Sequence, residues 1–316
     1  MEYRQLGNSG VRVSVIGLGT NQFGGTVGQE LVNEVIAEAI DLGINFIDTS
    51  DSYQNGRSEE TLGTALKGRW REVVLATKVY NPMGDGPNDR GTSRYHMING
   101  LEDSLRRLQT DHIDLYQMHR WDDTTPVEEM MHTLDDFISS GKVRYVGASA
   151  FASWQLAKAN LLAEFRGWSS FVTVQSHYHM LEREVEKEVI PYCQDQNVGF
   201  IPFFPLAGGF LTGKYKRGEG APAGSRGKRS PYVQKYMTNA NYNIVEKLSA
   251  WAQERDHTMN ELAHAWLLAQ PQVCSVISGL TKLEHLQANA RAGEWQLTAG
   301  EEAQVTAVLN GDDGNE

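Results

Sequence analysis

The sequence predicts an α/β fold, a (β/α)8 TIM barrel with an N-terminal β-hairpin and long loops at the C-terminal face of its strands. Three observations predict it. Apolar, β-branched-rich runs alternate with amphipathic stretches along the chain, the pattern of repeated βα units on a parallel sheet. Eight such runs can be traced between residues 15 and 278. Several of them end on side chains suited to proton transfer, and a barrel of parallel strands carries its chemistry at that end.

In chain order, residues 3–6 and 11–13 flank the turn Gly7-Asn8-Ser9-Gly10 and read as a hairpin able to plug the bottom of a barrel. Strands are expected at 15–18, 44–50, 73–79, 113–119, 143–149, 171–176, 198–204 and 275–278. Helical periodicity occupies 30–42, 93–108, 127–140, 154–163, 182–196, 244–256 and 283–292, with a last helix at 301–309. Two connections exceed ordinary βα loops, 80–92 and 206–241. The second mixes glycines with Lys214, Lys216, Arg217, Arg226, Lys228, Arg229 and Lys235. It reads either as a solvated loop or as a basic strap over an anionic ligand. Residues 310–316 read as a short acidic tail, expected to be disordered.

The length of 316 residues fits one barrel domain spanning 1–316, since no linker or second composition class divides the chain. Hydrophobic residues make up 40% of it, enough for a large core, and no window approaches the roughly 18 apolar residues of a spanning helix. The start lacks an apolar signal region and only Cys193 and Cys274 are present, so a soluble protein of the reducing cytoplasm is expected, without disulfides. A net charge of −11 disfavours nucleic acid as a partner. Oligomeric state is left open.

The most informative stretch is Ile47-Asp48-Thr49-Ser50-Asp51-Ser52-Tyr53, at the end of the second run. The third run ends around Lys78 and the fourth on His119. Each of these residues alone has an ordinary explanation: a turn cap, a loop aromatic, a surface charge, a core histidine. Together they make chemical sense, because an alternating barrel delivers strand ends to one face. A free tyrosine, with a pKa of about 10, is a poor acid at neutral pH. A nearby ammonium is expected to lower that value, and a carboxylate to hold the ammonium. A phenol so tuned could protonate a carbonyl oxygen as a hydride reaches its carbon, with histidine orienting the same oxygen. No side chain can supply a hydride, so a cofactor is required.

Those residues, with Gly43-Ile44-Asn45-Phe46-Ile47-Asp48-Thr49, Gly56-Arg57-Ser58-Glu59, Ala76-Thr77-Lys78, Ser104-Leu105-Arg106-Arg107-Leu108, Asp111-His112-Ile113-Asp114-Leu115-Tyr116 and Gly141-Lys142-Val143-Arg144, resemble the aldo-keto reductases over almost the whole chain. The resemblance implies Tyr53 as general acid, Lys78 and Asp48 as its tuning pair and His119 as the carbonyl-orienting residue. It implies NADPH-dependent, reversible reduction of an aldehyde or ketone to an alcohol.

A dinucleotide fingerprint is lacking, since Gly17-Leu18-Gly19 is followed by Gln22 where the third glycine would fall. The resemblance instead lays the cofactor across the top of the barrel. Gly19, Thr20, Asn21 and Asp48 would line its ribose side, Ser149 and Gln175 would hold the carboxamide, and Phe203 would stack on the nicotinamide. Ala150 stands where the family usually has asparagine. The segment Pro205, Leu206, Ala207, Gly209, Leu211, Gly213, Lys214 resembles the family's pyrophosphate clamp. Gly279, Thr281, Lys282, His285 and Asn289 open a second anion site at a helix start. Lys282, where an arginine is common, keeps the charge without the fork, so NADPH is favoured over NADH. Trp121 reads equally as a wall of the substrate pocket or as rim packing. No metal site is expected, although His177-Tyr178-His179 invites one. Two other readings compete with the enzyme: an NADP-binding, channel-associated regulatory subunit on the same scaffold, and a sugar-phosphate isomerase on a similar barrel.

Overall fold

The computed structural model describes residues 1–312, so part of the expected acidic tail, 313–316, lies outside the described residues. Two strands, β1 (Tyr3–Gln5) and β2 (Arg12–Ser14), pair antiparallel as the hairpin. Eight parallel strands close into a barrel: β3 (Ile16–Gly19), β4 (Phe46–Asp48), β5 (Val74–Val79), β6 (Ile113–Met118), β7 (Val143–Ser149), β8 (Thr173–His177), β9 (Gly199–Phe203) and β10 (Val276–Gly279). Each neighbours the next in chain order, and β10 returns to β3.

Around them run α1 (Gln29–Asp41), α2 (Arg57–Ala65), α3 (Arg94–Leu108), α4 (Val127–Ser139), α5 (Ser153–Arg166), α6 (Val189–Gln196), the single turn α7 (Pro231–Gln234), α8 (Asn239–Gln253), α9 (Met259–Leu268), α10 (Leu283–Ala292) and α11 (Ala299–Asn310). Local chemistry sets several of the starts. Thr258 and Thr298 each accept from the backbone three residues on, while Glu261 and Glu301 reach back, forming two capping boxes. The helix expected over 182–196 is shorter, because a 3-10 turn at Glu184–Glu186 precedes α6. Asn310 belongs to α11, and Gly311 caps it in the left-handed region.

Helices α2 and α9 were not anticipated from periodicity. In α9 nearly every residue from Met259 to Leu268 is buried, so there is no polar face to produce a 3.6-residue alternation. In α2, Gly63 interrupts the pattern for packing reasons: a Cβ there would lie 2.5 Å from the Arg107 carbonyl oxygen at the end of α3.

Side chains alternate in and out along each strand, and the inward set forms two levels. The lower is apolar, with Phe46, Ala76, Leu115, Ile201 and Ile277 packed against Leu6 and Val13 of the hairpin. The hairpin therefore closes the barrel's lower end. Two residues further along the same strands, the upper level turns polar on β4, β5 and β6 with Asp48, Lys78 and Gln117, while β9 and β10 place Phe203 and Gly279 there. Both cysteines are buried, and burial pushes each thiol up to about 12, which leaves them unreactive. Among the described residues no helix is long and apolar enough to cross a membrane.

The plug depends on one glycine. Gly7 has φ +59°, and a Cβ on it would sit 1.9 Å from the Val172 carbonyl oxygen and 2.7 Å from the Gly199 nitrogen. Gly7→Ala is expected to cost at least about 2 kcal/mol in chemical denaturation, from strain and displaced backbone. Gly10→Ala, where a Cβ meets nothing within 4 Å, is the control and should change stability by under about 0.5 kcal/mol.

Candidate active site

At the upper ends of β4, β5 and β6 the four expected residues come together. The Lys78 ammonium donates to Asp48 Oδ2 at 2.7 Å, to the Thr49 carbonyl oxygen at 2.8 Å and, more weakly, to the Tyr53 hydroxyl at 3.4 Å. Lys78 is 1% exposed and Asp48 3%, so this is a buried ion pair. Its geometry supplies what burial demands: the other Asp48 oxygen accepts from Gln175 Nε2 at 2.8 Å and Gln117 Nε2 at 3.2 Å. Burial is the largest single influence and works against the Lys78 charge, but the pull of Asp48 and Tyr53 and the hydrogen bonds to both together outweigh it, and the Lys78 pKa is raised.

The Tyr53 and His119 rings meet edge to face with centroids 5.9 Å apart. Lys78 lowers the phenol's pKa, as expected, but the net shift is upward. Burial is the largest influence on Tyr53 and raises its pKa, with Lys78 the main opposing pull. Lysine thus restrains an upward shift instead of producing a downward one. Burial, helped by Lys78 and Arg120, pushes His119 down to about 3, so the imidazole is neutral at physiological pH. Its Nδ1 lies 3.1 Å from the Asn81 amide nitrogen. An amide nitrogen only donates, so Nδ1 accepts and the ring hydrogen resides on Nε2.

Sequence reasoning passed over Ser50, Asn81 and Asp51. Ser50 Oγ stands 3.1 Å from His119 Nδ1 and donates to Asp51 Oδ1 at 3.0 Å. Asp51 is 1% exposed and its Oδ2 has no hydrogen-bond partner. Burial, then the neighbouring Glu59, pushes its carboxyl up to about 7. An acid raised in the folded state stays protonated there while the unfolded chain has already released its proton. Stability from this carboxyl is therefore full below about pH 4 and is lost as pH rises towards 7. Asp51→Asn should remove that loss, gaining on the order of a few kcal/mol relative to the parent between pH 4 and pH 8. Equal differences at both pH values in denaturant titrations would mean that Asp51 is ionised in the fold.

Above these residues opens a cavity of about 980 Å³. Its wall includes Gly19, Thr20, Asn21, Asp48, Tyr53 and His119, and opposite them Ser149, Ala150, Gln175 and Phe203. It continues past Pro205, Leu206, Gly209 and Lys214 to Gly279, Thr281, Lys282, His285 and Asn289. Three members of the expected clamp do not reach it: Ala207 and Leu211 are fully buried, and Gly213 faces Ser249 and Met259. They support the turn, in which Ala207, Gly208, Gly209 and Gly213 all have positive φ, from beneath. Trp121 also lies elsewhere. It lines a neighbouring cleft with Trp154 and Lys158, and its ring packs edge-on against Phe151 and Trp154.

The far end of the cavity is basic. The charges of Lys214 and Lys282 both bear on His285, which burial and these ammonium groups hold below its usual pKa. Helix α10 begins there with no side-chain cap, leaving backbone N–H groups for an anion. Arg226, at a 3-10 turn in the 206–241 segment, also faces the cavity. That segment is folded across the site and tied down where the Tyr232 hydroxyl bonds His177 Nε2. The His177 ring in turn stacks on Phe203 at 5.4 Å. A long, deep cavity with a basic end, open backbone amides and an aromatic wall suits an elongated, phosphate-bearing cofactor. Among the described residues no three His, Cys, Asp or Glu side chains are grouped so as to hold a metal ion.

The sequence profile of the Aldo/keto reductase family matches residues 15–310. The chain belongs to that family. As an aldo/keto reductase it stands among oxidoreductases that reduce carbonyl groups. It is similar to "Uncharacterized oxidoreductase YrpG" of Bacillus subtilis (strain 168), at 40% identity over 98% of this chain and 95% of that one. It is 36% identical to a "Probable voltage-gated potassium channel subunit beta" of Oryza sativa subsp. japonica, over 92% of this chain and 91% of that one. The "L-glyceraldehyde 3-phosphate reductase" of Escherichia coli (strain K12) is 34% identical over 92% of this aldo/keto reductase and 87% of its own length.

Proposed function

We propose that this protein, working as a single barrel domain, is an NADPH-dependent reductase of an aldehyde or ketone, acting reversibly. The observation that carries the reading is the Tyr53 hydroxyl 3.4 Å from a buried lysine that Asp48 holds at 2.7 Å, on the wall of a cavity with a basic far end. When bound, the nicotinamide supplies the hydride. Tyr53 gives its phenolic proton to the carbonyl oxygen, and Lys78 stabilises the phenolate left behind. His119, neutral, donates from Nε2 to the same oxygen and orients it. Gln175 and Ser149 would hold the carboxamide, with Phe203 against the ring. Lys214, Lys282 and Arg226 would meet the phosphates.

Purified protein supplied with NADPH and a panel of aldehydes tests the reading by consumption of the cofactor. A phosphorylated aldehyde belongs in that panel, given the name of the Escherichia coli relative. NADPH is expected to bind at least about tenfold more tightly than NADH, equivalent to roughly 1.4 kcal/mol, by quenching of protein fluorescence. Tighter NADH binding would overturn the preference assigned to Lys282. A second reading, a nucleotide-binding channel-associated subunit with little turnover, rests on the likeness to the Oryza protein. Cofactor binding without turnover of any carbonyl in the panel would favour it.

A further inference from the structure

The cavity is cationic inside an acidic protein. The chain carries a net charge of −11, yet the cavity wall bears Arg120, Lys214, Arg226 and Lys282 against one carboxylate, Asp48, which Lys78 already neutralises. Lys214 and Lys282 converge on His285 at the far end, and Arg226 lies on the segment that crosses the cavity. Arg120 is placed differently. It follows His119 directly, just past the end of β6, and lines the same cavity as Tyr53 and His119.

No carboxylate among the described residues pairs with Arg120, and the acids nearest in sequence are committed elsewhere. Asp122 accepts from the Thr92 and Thr124 amides at 2.8 and 2.9 Å and from the Thr124 and Thr125 hydroxyls at 2.6 and 2.9 Å. Asp123 accepts from the Trp121 indole at 2.7 Å. Both acids line the neighbouring cleft and not the site cavity. The guanidinium is a planar fork of donors suited to carboxylate or phosphate oxygens, and among the described residues it has no such partner.

We propose that Arg120 recognises an anionic group on the substrate, so that the preferred substrates are small carbonyl compounds bearing a carboxylate or phosphate. This rests on the reductase reading and deepens it by naming a substrate class. Arg120 selects by binding and takes no part in proton transfer, so its influence falls on KM more than on kcat.

The test compares matched pairs: 4-carboxybenzaldehyde with benzaldehyde, and glycolaldehyde phosphate with glycolaldehyde. The parent protein is expected to show kcat/KM at least about tenfold higher for the anionic member of one pair or both. Which pair responds separates carboxylate from phosphate recognition. Arg120→Met should lower kcat/KM for the anionic member by about 10- to 100-fold more than for its neutral partner, mainly through KM, and Arg120→Lys should recover part of the loss. No preference in the parent, or equal losses for both members of each pair, would overturn the proposal. If no aldehyde is reduced, the binding of 4-carboxybenzyl alcohol and benzyl alcohol to the NADP-loaded protein is compared by calorimetry. An anion preference that Arg120→Met abolishes would keep the proposal while the reductase reading fails. Equal binding of the two alcohols would end it.

Discussion

Tyr53→Phe is expected to lower kcat by about 10²- to 10⁴-fold while leaving cofactor affinity and thermal stability close to those of the parent. The substitution removes one oxygen and keeps the ring, so the edge contact with His119 persists. What disappears is the phenol hydroxyl that the Lys78 ammonium reaches at 3.4 Å. If Tyr53 is the acid, the loss appears in kcat and kcat/KM together, the signature of an interaction made in the transition state. Full activity in the Phe variant would remove Tyr53 from the proposed mechanism. Weak activity with a raised KM alone would make it a binding residue.

The second large effect concerns the ion pair below it. Lys78→Met leaves the Asp48 carboxylate buried with two amide donors, Gln117 and Gln175, and no cation. Breaking such a pair from one side costs about 3–5 kcal/mol, so a clear fall in the urea midpoint is expected along with loss of turnover. Adding Asp48→Asn should restore part of the stability and none of the activity, and the double-mutant cycle gives the coupling. The pH dependence has a defined sign. The folded pKa of Lys78 is raised, so its contribution is complete below the ordinary lysine value of about 10.4 and fades only as pH rises beyond it. A Lys78→Met variant as stable as the parent at neutral pH would show that the pair contributes nothing to folding.

The barrel was legible because parallel strands buried on both faces write continuous β-branched runs, and all eight strands fall within the expected stretches or one residue beyond them. Chemistry at strand ends was legible for the same reason: once β4, β5 and β6 are aligned, Asp48, Lys78 and His119 have to converge. Residues acting through loop geometry were not. Asn81 reaches His119 only because of the path the chain takes after β5, and Asp51 matters only because its side chain turns inward beside Glu59. For Trp121 the packing on Phe151 and Trp154 fits the second of its two readings, rim packing. Two residues from His119 is near in sequence, but the chain has already turned into another cleft. Helix α9 escaped notice because a fully buried helix carries no periodic contrast.

The hairpin that seals the lower end of the barrel has a consequence for traffic. With Leu6 and Val13 filling that end, nothing enters through the bottom of the barrel, and traffic is confined to the side of the strand ends, where the cavity opens. If a second molecule settles above one seated beside Gln175 and Ser149, the lower one enters first and leaves last. Steady-state kinetics with two varied ligands are then expected to follow an ordered sequence of arrival, and a random order would show that the two reach their places independently.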